Sequence, residues 1–472
     1  MSDSLLVNDV HSRLNPALIP AVHYPGSIVE LSELIRKIRL NRWQLSVCGG
    51  KHSMGGQAYG RGSHLVDLSR MSSVISFDEE KGLIKVQAGI MWPELISFLQ
   101  TRNSQWMVRQ KQTGADHLSL GGAIASNIHG RGLAMAPFID DIEELTVVCA
   151  NGIAYRCSRN ENPNLFSLVV GGYGCFGIVS DVTIRLAPRQ NFRRSVTLIQ
   201  SGDAINWLEN AQSNGAHYGD FQFNIDPESN GFLTEGISAC YHPTDEAPSF
   251  DQPSLRPMDI EALLHLAHHQ PGKAFKHYTE HYQKTDGLVY DGEEMQLSAY
   301  PDGYHERFDQ RCKTSCPGSE MISELYVPRD RLGDFLSAAA RFLRKRNAQV
   351  IYGTVRLIEK DTTTFLPWAR QAWACTVFNL HVDHCPEGIQ KAKASFRGLI
   401  DLALDRGGSF YLTYHRWATR EQLLKAYPEL PAWLEQKRKN DPTNLWSSDW
   451  FRSLTKRMHF ETNLHSAAAT AR

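Results

Sequence analysis

The chain has 472 residues, 42% hydrophobic and 21% charged, an ordinary globular composition long enough for two or three domains with sizeable cores. Its 50 basic and 51 acidic residues leave a formal net charge of −1, which removes any electrostatic case for nucleic acid or an anionic membrane as partner. No apolar run is long enough for a membrane span, residues 1–15 lack the apolar core of a signal peptide, and nine scattered cysteines without a C-x-x-C pair read as reduced thiols. Cytoplasmic residence is the expectation.

In chain order, Pro25-Gly26-Ser27 opens a helix whose face is Ile28, Leu31, Ile35 and Ile38, with Ser27 and Glu30 spaced as a capping box. Short strands are expected at Leu65–Leu68 and Leu83–Gly89. A second helix carries Trp92, Leu95, Ile96 and Leu99, with Pro93 in its first turn. Thr146–Ala150 and Ile153–Cys157 flank Asn151-Gly152, the signature of a hairpin with a type I′ turn. Gly177–Ala187 reads as a strand stopped by Pro188. Residues 225–320 are polar and rich in Pro, His, Tyr and Gly, and they read as loops of the kind that shape a ligand site. Order returns with a strand at Glu324–Pro328 and a helical stripe at Leu332, Phe335, Leu336, Ala339 and Leu343. Strands at Gln349–Ile358 and Ala374–Val382 follow, then a helix ending at Gly407-Gly408. Short strands mixed with helices, without a regular βαβ repeat, give an α+β class.

Three glycine-rich segments stand out: Val47–Gln57 (V-C-G-G-K-H-S-M-G-G-Q), Thr113–Gly132 (T-G-A-D-H-L-S-L-G-G-A-I-A-S-N-I-H-G-R-G) and Val169–Val179 (V-V-G-G-Y-G-C-F-G-I-V). A tight turn would account for any one of them. Their spacing fits neither the Rossmann nor the Walker pattern. Consecutive N–H groups in such loops form anion nests suited to a pyrophosphate. In order and spacing the three together resemble the FAD-binding domain of the vanillyl-alcohol oxidase, or p-cresol methylhydroxylase (PCMH), family. The resemblance implies a two-subdomain FAD-binding domain plus a substrate, or cap, domain whose mixed or antiparallel sheet is covered by helices. The boundaries expected are 16–190 for the FAD domain, 191–405 for the cap, and 406–460 for a C-terminal segment returning to the FAD domain.

The same resemblance implies that FAD is bonded through His52 and that its pyrophosphate lies on Gly49, Gly50, Lys51, Ser53, Met54 and Gly55. A second cradle would come from Thr113, Gly114, Leu120, Gly121 and Gly122. His129 and Gly130 would approach the ring, and Gly174, Gly177 and Ile178 the adenine or ribityl side. No cysteine stands at the second attachment position of berberine-type members, which argues against a doubly bonded flavin. The later motifs Ser323–Arg329, Thr354–Asp361, Phe378–Val382, Tyr411–Ala418 and Lys437–Pro442 are similar in order to those of alditol and aldonolactone oxidases and of decaprenylphosphoryl-ribose oxidase.

These relatives imply oxidation of a CH–OH group on a sugar-like, sugar-acid, lactone or polyol small molecule. A proton acceptor and a cation beside the flavin are then needed. Arg356 matches the arginine of the alditol-oxidase E-x-R motif, but Thr354 replaces its glutamate and Thr419 replaces the lysine of H-W-x-K, which weakens a polyol assignment. The base candidates are Tyr414, His415, His381 and Glu324; Tyr411 and Cys375 are wall residues of second rank. On a strand Tyr414 and His415 point oppositely, while Asn379 and His381 share a face. Ile128, before the His-Gly pair, narrows oxygen access by analogy, favouring a quinone or other carrier over oxygen as electron acceptor. No metal site is expected; His381-Val-Asp-His384-Cys385 is the nearest approach to one. The alternatives are a C=C reductase using a nicotinamide donor and a non-catalytic protein on the same scaffold.

Overall fold

A computed structural model describes residues 4–253, 255–298, 301 and 303–461. The polar stretch 225–320 therefore lies within the described residues except at 254, 299, 300 and 302.

The N-terminal part holds two main sheets. In the first, His64–Asp67 lies between Val22–His23 and Leu45–Cys48, all parallel. The second is five-stranded and antiparallel, ordered Ala154–Ser158, Ile142–Val148, Ile178–Arg185, Leu83–Gln87 and Val74–Asp78. The helix Ile28–Leu40 buries Leu31, Ile35 and Ile38 as its periodicity requires. Its cap differs from the expected box. Ser27 accepts from Glu30 N, but the Glu30 carboxylate reaches back to Gly26 N at 2.9 Å, one residue further out. The hairpin at 142–158 is also present, without a type I′ turn. Gly152 N donates to Cys149 O and Cys149 N to Ile153 O; Gly152 is left-handed (φ +71°), whereas Asn151 is not and accepts from Ile153 N. This is a type I turn closed by a glycine bulge, which asks for one left-handed residue instead of two.

The rest of the chain builds one eight-stranded sheet, antiparallel throughout. Its strands are β1 (Asn191–Gln200), β2 (Tyr218–Phe223), β3 (Glu235–Thr244), β4 (Val289–Asp291), β5 (Gly318–Val327), β6 (Val350–Ile358), β7 (Trp373–Asp383) and β8 (Ser409–Phe410). They are ordered β4-β1-β3-β2-β6-β7-β5-β8. β5 starts six residues before the expected strand, at Gly318.

The stretch read as loops contains three helices, α1 (Pro257–His269), α2 (Pro271–Gln283) and α3 (Tyr304–Cys312), besides β3. Pro257 and Pro271 sit at helix starts, where a missing N–H costs nothing. The apolar side chains Ile260, Leu263, Leu264 and Ala267 of α1 line a cavity. Helices α4 (Leu332–Lys345) and α5 (Pro386–Leu404) are amphipathic and bury long apolar stripes; Phe335 of α4 meets Phe378 of β7 edge-on at 6.3 Å.

The chain end comes back to the N-terminal part. Leu45 N donates to Leu445 O and Ser447 N to Leu45 O, extending the parallel sheet through Trp446. Tyr414 and His415, placed on a strand from sequence, lie instead in a turn-rich segment after β8.

Candidate active site

A cavity of about 810 Å³ lies between the glycine segments and the large sheet. Side chains alternate across a strand, and the polar residues each strand gives the cavity follow that alternation. β5 gives Glu320, Ile322 and Glu324; β6 gives Tyr352, Thr354 and Arg356; β7 gives Val377 and Asn379; β2 gives Asp220 and Gln222. Register aligns Glu324 with Val377 and Thr354 across three strands. The carboxylate missing at Thr354 is thus supplied two strands away.

Glu324 is 2% exposed and holds a network. His129 Nε2 lies 2.8 Å from its Oε1, Tyr326 donates to the same oxygen at 2.5 Å, and Tyr414 donates to Oε2 at 3.2 Å. His129 Nδ1 faces Gly130 O at 2.9 Å. The His129 ring thus bridges the Glu324 carboxylate and the Gly130 carbonyl. Burial pushes the Glu324 carboxyl upward, but the charge and hydrogen bond of His129, with Tyr326 and Arg356, outweigh it and hold it below the usual carboxylate range. Burial, then the Glu324 charge, lifts the Tyr414 phenol well above its ordinary value, so it remains a donor. Arg356 contacts the Thr113 hydroxyl through Nη2, while its buried Nε has no partner among the described residues.

The other base candidates lie elsewhere. Tyr414 and His415 do point oppositely, although no strand carries them. His415 packs on Phe396 of α5 and Trp417, with Nε2 3.3 Å from Ser323 Oγ, on the far side of the sheet from Glu324. Burial, then the charge of Arg457, pushes it down to about 3. His381 does not line the cavity; its Nδ1 is 3.2 Å from the buried Glu320, whose carboxylate also gathers His268 and His305, each at 2.9 Å. Cys375 is fully buried, 3.8 Å from His129 Nε2, and also off the cavity wall. Tyr411 lines the wall and donates to Ser126 O at 2.6 Å.

The two expected phosphate cradles differ. The backbone amides of Gly49, Gly50, Lys51, Ser53 and Met54 make no hydrogen bond among the described residues, and all five residues line the cavity. A Cβ on Gly49 would lie 1.9 Å from Ser119 Oγ, and one on Gly50 2.3 Å from His117 O, so only glycine lets these loops meet. Gly55 is a correction: its amide is taken by Gln57 Oε1 and it lies off the cavity. In the second segment Thr113, Gly114, Gly121 and Gly122 line the cavity, but Leu120 is core. The amides of Leu120 and Gly121 go to Ile90 O and Ala88 O, and that of Gly122 to the Ser119 side chain that caps its helix. Three amides expected to meet phosphate are therefore spent inside the fold. Gly130 also lies off the cavity, serving as the carbonyl that orients His129. Gly174, Gly177 and Ile178 line it, as does Ile128.

Lys51 pairs with Asp67 at 2.9 Å, so its charge is already offset within the fold. His52 lines the cavity and its Nδ1 is 2.7 Å from His11 Nε2. Burial, then His52 itself, holds His11 well below the usual histidine value, so this partner stays neutral. His11 escaped sequence reading because it lies 41 residues from His52 in a polar stretch without a motif. Arg131, Arg194, Tyr241 and Tyr282 were missed likewise, and they line the far end of the cavity.

A flavin dinucleotide needs an anion cradle, room, and polar groups to meet its ring. The amides of Gly49, Gly50, Lys51, Ser53 and Met54 offer the first and the cavity the second. The buried, unpartnered Arg356 Nε, Asn379 Oδ1 and Thr413 Oγ1, all from cavity-lining residues, offer the third.

These features define a flavin-binding protein, and comparison with known proteins agrees. Residues 19–158 match the FAD binding domain family, so this part of the chain is an FAD-binding domain of the PCMH type and the cofactor is FAD. The chain is 30% identical over 200 residues to an uncharacterised oxidoreductase of the fasciation locus of Rhodococcoides fascians, covering 40% of this chain and 44% of that protein. It is 31% identical over 164 residues to a putative D-arabinono-1,4-lactone oxidase of Neurospora crassa (35% and 29%), and 26% over 171 residues to the L-gulonolactone oxidase of Mus musculus (36% and 38%). The matched region spans less than half the length of each of these relatives. No helix among the described residues is long and apolar enough to cross a membrane.

Proposed function

We propose that the chain is an FAD-dependent oxidoreductase that converts a CH–OH group of a sugar-like, sugar-acid or lactone substrate to C=O. The observation that carries this reading is the buried, ionised Glu324 at the cavity wall, tied to His129, Tyr326 and Tyr414 with Arg356 nearby. Bound FAD supplies a two-electron acceptor for the hydride. The hydroxyl proton goes to Glu324, either directly or through the Tyr414 phenol, which passes its own proton to the carboxylate as it takes the substrate's. His129, held against Glu324 Oε1, fixes the orientation of that carboxylate. Arg356 binds the substrate oxygen or the electron-rich edge of the ring, and Asn379 and Thr413 supply further hydrogen bonds. General-base assistance of this kind is worth ~10²–10⁴-fold in rate.

His52 is the covalent anchor in this reading, with neutral His11 fixing its ring. Acid precipitation of His52→Ala should release all flavin to the supernatant, whereas the wild-type pellet stays yellow; equal release from both would remove the anchor. Ile128 at the cavity wall favours a quinone or other organic carrier over oxygen as acceptor. Nine unpaired cysteines suit a reducing, cytoplasmic compartment.

A protonated Tyr414 would also suit a C=C reductase. Anaerobic mixing separates the two. Bleaching of the flavin by an alcohol or sugar-acid panel without nicotinamide supports the CH–OH reading, and bleaching by NADPH alone overturns it.

A further inference from the structure

Outside the flavin cavity, α1 and α3 bring together three side chains with no part in the chemistry above. His265 and His269 stand four residues apart on α1, so one face of the helix carries both rings, with centroids 4.5 Å apart. Cys312, the last residue of α3, lies against them. Its Sγ is 3.4 Å from His269 Nε2 and 3.9 Å from His265 Nδ1, and the three donor atoms all lie within 4.8 Å of one another.

We propose that His265, His269 and Cys312 form a zinc site that staples α1 to α3. Zinc–nitrogen and zinc–sulfur bonds of about 2.0 and 2.3 Å at a tetrahedral angle put N and S about 3.6 Å apart, between the two separations found here. A thiolate with two imidazoles is a donor set that selects zinc over hard cations such as magnesium or calcium. Among the described residues no fourth ligand joins this group, so water completes the tetrahedron. The cysteine proton is released on binding.

The placement gives the ion a structural task. α1 contributes Leu263, Leu264 and Ala267 to the cavity wall, and α3 contributes Tyr304 and His305. The two helices are separated in sequence by 34 residues (270–303), α2 among them. A metal bridge would fasten both over the flavin cavity. The neighbouring His268 turns the other way, to Glu320, and belongs to a separate cluster.

The test uses the flavin-loaded full chain, produced without a histidine tag, saturated with zinc and then passed through gel filtration with a weak chelator. One zinc per chain should be retained by wild type and lost in Cys312→Ser and in His269→Gln, with the flavin spectrum unchanged in each as the control of folding. Cobalt in place of zinc should give the intense near-ultraviolet thiolate charge-transfer band in wild type, absent from Cys312→Ser. Failure of wild type to retain zinc would overturn the site. So would equal retention by Cys312→Ser, which would assign the ion to the Glu320 cluster instead.

Discussion

At the scale of single residues, burial separates the histidines that sequence alone left equivalent. His415 is held down to about 3, burial first and then Arg457, while an unfolded histidine titrates near 6.5. Between those values the unfolded chain binds a proton that the folded chain refuses. Stability should therefore be flat above about pH 6.5 and fall as pH drops toward 3. His415→Phe should flatten that limb by a few kcal/mol at most, read from urea midpoints across the acid range; an unchanged limb would mean that His415 protonates freely in the fold. Glu324 has the same sign, over a lower pH window. Its folded value is depressed, so it stays ionised through neutrality and loses its role only below the usual carboxylate range of about 4.3. Glu324 stood in the sequence as one of four candidates for the base. What distinguishes it is its meeting with His129, 195 positions earlier, and with Tyr414, 90 later, separations no local pattern encodes.

At the scale of elements, the glycine loop 49–55 and the segment 113–122 were legible because backbone geometry restricts the residues that fit. Gly50→Ala should abolish flavin incorporation, since the added carbon meets a backbone carbonyl that cannot turn aside. Flavin content per chain after purification checks this, and near-stoichiometric flavin would contradict the cradle. The same loops were misread in detail. Leu120 and Gly121 look like amide donors in sequence, yet their N–H groups are consumed by Ile90 and Ala88 where the loop meets the five-stranded sheet. Helices α1 to α3 were illegible for a different reason. The apolar stripe of α1 is short, faces a cavity instead of a core, and is set among histidines, while Pro257 and Pro271 look like breakers though they start helices. That error also hid the i, i+4 relation of His265 and His269.

At the scale of the whole molecule, the two ends of the chain hold each other. Lys437-Arg438-Lys439-Asn440-Asp441-Pro442 falls in the segment 406–460 that the resemblance expected to return to the FAD domain. In the fold it is the latch for the returning segment. Asp441 pairs with Lys437, both almost fully buried, and accepts from the amides of Leu445 and Trp446, which join the strand leading into the glycine loop. Asp441→Asn leaves the Lys437 charge unpaired and should cost about 3–5 kcal/mol, with flavin lost in parallel with unfolding. Thermal melts followed by tryptophan fluorescence and by released flavin test this together; a shift under about 1 kcal/mol would mean that the latch is dispensable. The α+β class followed from strand and helix periods in sequence, whereas a mixed or antiparallel cap sheet was implied only by the family resemblance. The return of the C-terminal segment to Leu45 spans 400 residues; the resemblance implied it, while composition and periodicity are silent about such pairings.

The most direct measurement is single-turnover reduction of the flavin by the best CH–OH substrate of the panel, followed anaerobically in wild type and Glu324→Gln. The expected result is an unchanged resting flavin spectrum with a reduction rate lower by ~10²–10⁴-fold at neutral pH. Reduction of Glu324→Gln at the wild-type rate would contradict the assignment of the substrate proton to Glu324.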